Sequence, residues 1–205
     1  MKAKKRVHSF RHILFVGISV LFFILVLLLL FVIFYRPTYK GPNTADWKTG
    51  DIFFSVGDSW KSVAVRALTG AKEFELPDST PSHCGIVIRD KKGIWLVHES
   101  TSEKRLVMER PDEYVKKNGS FCLFSKPTPC EIDTNLLRKN IERMIHKGIP
   151  FDYRFNNEDT TSLYCTEFVV YAFEKAGCNN FSELHKQQYI YPKDLEKICA
   201  KRKKE

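Results

Sequence analysis

The apolar pattern changes period several times along the chain. Ile13 to Tyr35 is unbroken by any charge. As a helix, a run of that length rises about 35 Å, enough to cross a hydrocarbon core of roughly 30 Å with some tilt. Residues 13–35 are therefore expected to be one transmembrane helix, after a basic segment at 1–12 and before a Pro/Gly-punctuated linker at 36–47. A cleaved signal peptide has a shorter apolar region and a small-residue cleavage site, and neither is present here.

Beyond the linker the runs are short. Asp51–Val56, His83–Ile88, Ile94–His98, Arg105–Met108 and Phe121–Phe124 read as strands. Asp90-Lys91-Lys92-Gly93 reads as the turn of a hairpin. Helical spacing appears in four places. Ser59–Leu68 is a short helix. Asp133 or Thr134 caps a helix carrying Leu137, Ile141, Met144 and Ile145, which Gly148 and Pro150 stop. Phe168, Val169, Ala172, Phe173 and Ala176 form one face of a helix that begins at or beside Cys165 and ends near Gly177. Pro192 opens a last helix around Leu195 and Ile198. Residues 70–82 read as a loop, punctuated by Pro77, Asp78, Ser79 and Pro81. Strands in the middle and helices on both sides predict an α+β domain with an antiparallel sheet over 48–200, followed by a basic tail at 201–205.

The net charge of +9 sits at the two ends of the chain. Lys2, Lys4, Lys5, Arg6, Arg11 and Arg36 have no acid among them, and the tail adds a net charge of +3. Residues 37–200 are close to neutral, so a nucleic-acid-binding face is not expected. The basic residues before the run favour a cytoplasmic N-terminus, with the C-terminal domain on the far side of the membrane.

Six cysteines stand at 84, 122, 130, 165, 178 and 199, with no CxxC. In an oxidising space Cys122 with Cys130, or Cys178 with Cys199, are candidate pairs. Cys165 differs from the others because it opens a helix. There it meets unpaired N–H groups and the positive end of the dipole, which favours a thiolate. That contribution is about 0.3–1 kcal/mol, less than one pKa unit. A histidinium about 4 Å away is worth roughly 4 kcal/mol at an effective dielectric near 20. Cys165 therefore needs a histidine beside it to be reactive.

The hairpin supplies two. If Lys91-Lys92 is a two-residue loop, His83 and His98 fall on one sheet face at diagonal positions, with Gly85 opposite His98 leaving room for a ring. Cys84 and Glu99 fall on the other face. One imidazole then holds the tautomer of the second, which reaches the thiol. Zinc at His83, His98, Cys165 and Cys84 is disfavoured, because adjacent His83 and Cys84 point to opposite faces.

The segments Gly50-Asp51-Ile52-Phe53-Phe54, Ser82-His83-Cys84-Gly85-Ile86-Val87, Trp95-Leu96-Val97-His98-Glu99-Ser100, Phe151-Asp152-Tyr153 and Tyr164-Cys165-Thr166-Glu167-Phe168-Val169 resemble the YiiX/YebB-like, circularly permuted branch of the NlpC-type papain-like cysteine hydrolases. The likeness runs from about residue 48 to 195 in the family's order, with the histidine ahead of the cysteine. It implies a circularly permuted papain-like fold, preceded here by the transmembrane helix. It implies Cys165 as nucleophile, His83 as general base and His98 as the orienting residue. Tyr153 is implied as site-lining. Glu99 is the other candidate at the orienting position, where many relatives carry an acid. The expected activity is a membrane-anchored thiol hydrolase with its catalytic domain extracytoplasmic. It would cleave an amide of cell-wall peptide or an acyl-amide, and no metal or other cofactor is implied. Two rivals stand beside it: a lipid acyltransferase resembling lecithin:retinol acyltransferase, and a catalytically silent lipid- or peptide-binding module.

Overall fold

The strand runs between residues 52 and 126 form one five-stranded antiparallel sheet in this computed structural model, which describes residues 15–27, 42–57, 59–68, 80–155 and 161–201. The strands are β1 (Ile52–Gly57), β2 (His83–Asp90), β3 (Gly93–Ser100), β4 (Arg105–Glu109) and β5 (Ser120–Lys126), in the order β4-β3-β2-β1-β5. The predicted hairpin holds its register. Asp90 pairs with Gly93 and Ile86 with Val97 across a two-residue loop, and the turn places Gly93 at φ 123°, a conformation suited to glycine.

The chain divides into two compact units at Thr38/Tyr39. The described part of the first is a helix, α1, over 15–27, whose apolar side chains are largely exposed. Among the described residues no helix is long and apolar enough to cross a membrane. The rest of the predicted 13–35 span lies outside the described residues, as do the linker up to residue 41 and most of the loop expected at 70–82.

In the second unit, helices cover both sheet faces. Ile52, Phe54, Cys84, Ile86, Ile88 and Val97 point to one side. They bury Leu137, Ile141 and Met144 of α4 (Thr134–Lys147), Phe168, Val169, Ala172 and Phe173 of α5 (Cys165–Glu174), and Leu195 of α6 (Pro192–Lys201). Each such side chain contributes roughly 1.5–3 kcal/mol on leaving water. Asp133 caps α4 by accepting from the N–H groups of Asn135 and Leu136, and Gly148 closes it in the left-handed conformation. The expected short helix is α2 (Trp60–Leu68).

Phe53, Val87, Leu96 and Leu123 form the opposite face and pack on Tyr114. Tyr114 belongs to α3 (Pro111–Asn118), which the apolar periodicity did not predict because it carries too little apolar surface. Its signals are polar: Pro111 in the first turn, Asp112 and Glu113 behind it, Lys116 and Lys117 in the last turn, and Gly119 at φ 60°.

The disulfide differs from both expected pairings. It joins Cys130, just before α4, to Cys178, just after α5, while Cys122 and Cys199 remain thiols. Packing of α4 on α5 brings these two flanking segments together across a separation of 48 residues. Sequence proximity favoured the wrong partners.

Candidate active site

His83 opens β2 and His98 lies near the end of β3, on the sheet face that carries Phe53 and Tyr114. His83 Nε2 is 3.1 Å from His98 Nδ1. The rings stand perpendicular with centroids 5.2 Å apart. Tyr114 supports both, edge-on to His98 at 4.8 Å and parallel to His83 at 6.3 Å. Its hydroxyl is fixed by Ser55 Oγ at 2.6 Å.

Gly85 provides the space expected of it, but for a different ring. A Cβ there would lie 2.3 Å from the Val97 carbonyl oxygen and 2.5 Å from the Phe53 ring. Phe53 then meets His98 edge-on at 6.2 Å.

His98 Nε2 faces Glu109 Oε2 at 3.5 Å, long for a hydrogen bond, and neither atom has a hydrogen-bond partner elsewhere. The other Glu109 oxygen accepts from Lys117 Nζ at 2.6 Å. The His98 contact, with help from Lys117, holds the Glu109 carboxyl down at about 2. Burial, reinforced by the charge of His83, pushes His98 below the usual imidazole range against the opposing pull of Glu109. His98 is thus a neutral ring with one proton to place. Its Nδ1 also lies 3.1 Å from the Glu99 carbonyl oxygen. A carboxylate attracts an N–H roughly twice as strongly as a neutral acceptor, so the proton belongs on Nε2. That leaves the Nδ1 lone pair for the Nε2–H of His83.

Cys165 is the first residue of α5 and is half-buried. Glu167, three residues from the N-cap, accepts from the Tyr164 N–H at 3.3 Å and closes the helix start. Ile190 is clipped to this turn by its N–H to the Tyr164 hydroxyl and by Thr166 Oγ1 donating to its carbonyl, at 3.1 and 2.7 Å. The Cys165 thiol is held well below its ordinary value. A hydrogen bond from the Cys84 thiol is the largest cause. The charge and hydrogen bond of His83 and the backbone N–H of Cys84 add to it, while burial opposes it. Cys84 is fully buried and correspondingly pushed up. His83 uses Nε2 toward His98, so Nδ1 is the nitrogen left for Cys165.

The structure therefore brings Cys165, His83 and His98 together. It adds three residues that sequence reasoning left out: Cys84 against the thiol, Glu109 behind His98, and Tyr114 under both rings. Alternation along β3 and β4 carried a weak signal for Glu109, since it lies within reach of the His98 face. Glu99 points to the α5 side, away from the two imidazoles, and does not orient them. It is 1% exposed, and neither carboxyl oxygen has a hydrogen-bond partner. Burial, then the charges of Cys165 and Glu167, push it up to about 8. Tyr153 is 56% exposed and joins Phe151, Phe155 and Tyr164 in an aromatic group rather than the histidines. Its hydroxyl donates to the Thr101 carbonyl at 3.4 Å. Among the described residues, no three His, Cys, Asp or Glu side chains gather as a metal site.

No protein-family model matches the chain. No curated protein matches its sequence. Its structure is similar to the crystal structure of the metalloprotein YiiX from Escherichia coli O157:H7, with a TM-score of 0.53 and 15% identity over 73% of this chain and 91% of that one. The protein is thus an α+β chain with the YiiX-like fold that its motifs resemble.

Proposed function

We propose that the chain is a membrane-anchored thiol hydrolase that opens an amide through an acyl-enzyme on Cys165. The observation that carries this reading is the His83 Nε2–His98 Nδ1 contact at 3.1 Å, supported by the pull of His83 that helps hold the Cys165 thiol below its ordinary value. In the reactive state His83 is an imidazolium. Its Nε2–H points at His98 and its Nδ1–H at the Cys165 thiolate, while Glu109 fixes the outer proton of His98. The thiolate attacks the carbonyl carbon, and the oxyanion lies near the Cys165 backbone N–H at the helix start. His83 gives its Nδ1 proton to the departing amine, leaving a thioester. Neutral His83 then takes a proton from water as it attacks. The acid leaves and the thiol is restored.

The neighbour's title calls YiiX a metalloprotein. The donors here do not fit a resident metal ion: both His83 nitrogens are committed, and Glu99 stands apart from the histidines.

The apolar run at 13–35 supports a single membrane span. The basic N-terminus supports its cytoplasmic start, and the Cys130–Cys178 disulfide supports an extracytoplasmic catalytic domain. Cell-wall peptide or an acyl-amide suits that location. One observation favours a lipid acyl substrate instead, processed as in acyltransferases of the lecithin:retinol type: Tyr153 and Phe155 are exposed beside Tyr164, the residue preceding the nucleophile.

The test is to incubate the full-length chain separately with muropeptides, N-acyl amides and short-chain phospholipids, and to weigh the Cys165 peptide. An acyl adduct with release of free amine supports the amidase. An adduct from phospholipid alone supports the lipid reading. No adduct from any class, with Cys165 intact, leaves a binding module.

A further inference from the structure

His98 has two acceptors for its one proton, and the nearer acceptor serves the wrong nitrogen. The Glu99 carbonyl oxygen lies 3.1 Å from Nδ1, while Glu109 Oε2 lies 3.5 Å from Nε2. A proton on Nδ1 would remove the lone pair that meets His83 Nε2 at 3.1 Å. His83 would then have no acceptor for an Nε2–H, and the imidazolium that the reaction needs would lose its anchor. The carboxylate outcompetes the carbonyl through its charge. At 3.5 Å it does so only while its oxygen stays aimed at the ring.

Lys117, in the last turn of α3, does the aiming. Its Nζ donates to Glu109 Oε1 at 2.6 Å, which leaves Oε2 for His98. Glu109 Oε2 has no hydrogen-bond partner elsewhere, so its direction serves only the ring. Lys117 is braced from its other side by Glu103 Oε1. Glu103 is itself fixed in the turn between β3 and β4. Its N–H donates to Ser100 Oγ at 3.2 Å, and Arg105 Nη2 donates to its second oxygen at 3.4 Å. An exposed ion pair alone contributes little. This one differs because it runs inward, from a Lys117 side chain 40% exposed to a Glu109 side chain 11% exposed and then to the buried ring.

We propose that Lys117 is a positioning residue for the relay: braced by Glu103, it holds Glu109 in the orientation that keeps the His98 proton on Nε2. It acts on Cys165 through three side chains in turn, Glu109, His98 and His83. Removing the ammonium frees the carboxylate to turn toward water, and the Glu99 carbonyl then claims the proton at Nδ1. The inference rests on the thiol relay of the proposed function and is independent of which substrate the enzyme takes.

The test uses the full-length chain in detergent micelles, isotope-labelled at the histidine ring nitrogens. Nitrogen NMR distinguishes the two neutral tautomers, and the His98 signals are those missing from His98→Gln. Near neutral pH the expected wild-type form is Nε2–H. In Lys117→Met the ratio should move toward Nδ1–H by about two- to tenfold, the worth of one hydrogen bond. Alkylation of Cys165 by iodoacetamide should slow in step with the loss of the Nε2–H form. Lys117→Arg, which keeps the charge and the donors, should restore both. Should Lys117→Met misfold, Glu103→Gln, which loosens the brace alone, should shift the ratio in the same direction. A wild-type His98 already in the Nδ1–H form overturns the proposal without any variant. A tautomer shift in Lys117→Met, beside a wild-type Cys165 that alkylates no faster than an ordinary thiol, sustains the positioning role and removes the hydrolase reading. A fast, His83-dependent Cys165 with a tautomer indifferent to Lys117 does the reverse.

Discussion

His83 and His98 meet nitrogen to nitrogen, Nε2 to Nδ1 at 3.1 Å, with their rings at right angles. One ring faces the thiol and the other faces Glu109. In the proposed reaction His98 is a positioning residue: it fixes which proton His83 has to give. His98→Ala should slow turnover by up to about a hundredfold, while His83→Ala costs about 10²–10⁴-fold. Substrate-independent alkylation of Cys165 should fall in the same order. Equal rates in His98→Ala and wild type would remove His98 from the relay.

Glu109 should be legible in acid unfolding. Its carboxyl is held at about 2, chiefly by His98 and then by Lys117, below its unfolded value of 4.5. A depressed acid stabilises the fold above its unfolded pKa, and the benefit is lost as pH falls from about 4.5 toward 2. Glu109→Gln should be less stable than wild type by about 1–3 kcal/mol at neutral pH and converge with it near pH 2. Denaturant titrations at stepped pH measure this, and parallel curves would count against it.

Glu99 carries the opposite sign. Burial raises its carboxyl from 4.5 to about 8. The folded state therefore binds the extra proton between those values, and stability declines as pH rises from about 4.5 through 8. Glu99→Gln, which stays neutral and keeps the shape, should flatten that decline and gain a few kcal/mol above pH 8. Unchanged melting temperatures across that window would show that Glu99 is ionised in the fold.

Gly85→Ala should destabilise by about 1–3 kcal/mol, the usual cost of overpacking. The new methyl would meet the Val97 carbonyl oxygen and the Phe53 ring. The Val97 oxygen belongs to the strand and cannot move away cheaply. Thermal melts give the cost, and a Cys165 alkylation rate lowered in the folded variant would show that Phe53 holds His98.

Reducing the Cys130–Cys178 bridge should cost about 2–4 kcal/mol, as for a loop of this length. Cys130→Ser with Cys178→Ser, compared by denaturant titration, measures it.

Much of this arrangement was legible in the chain because it rests on short-range rules. The short strand-like runs, the Lys91-Lys92 turn and the apolar stripe behind Cys165 placed the sheet, the hairpin register and α5. The contact between His83 and His98 followed from strand alternation together with the two-residue Lys91-Lys92 loop. The unread parts depend on contacts that no local pattern encodes. Cys130 finds Cys178 only because α4 and α5 pack together. Glu109 reaches His98 from a neighbouring strand, and α3 offers caps and charges rather than an apolar stripe. Cys84, assigned to the far face from His83, does lie on that face.

The central claim is that Cys165 and His83 form a thiolate–imidazolium pair. The direct measurement is the rate of iodoacetamide alkylation of each cysteine against pH, in the full-length chain and in His83→Ala, read by peptide mass spectrometry. The account predicts that Cys165 reacts well below about pH 8, where an ordinary thiol near 8.5 is mostly protonated, and that the His83→Ala variant loses this reactivity. A Cys165 no faster than the buried thiols, or indifferent to His83, would contradict it.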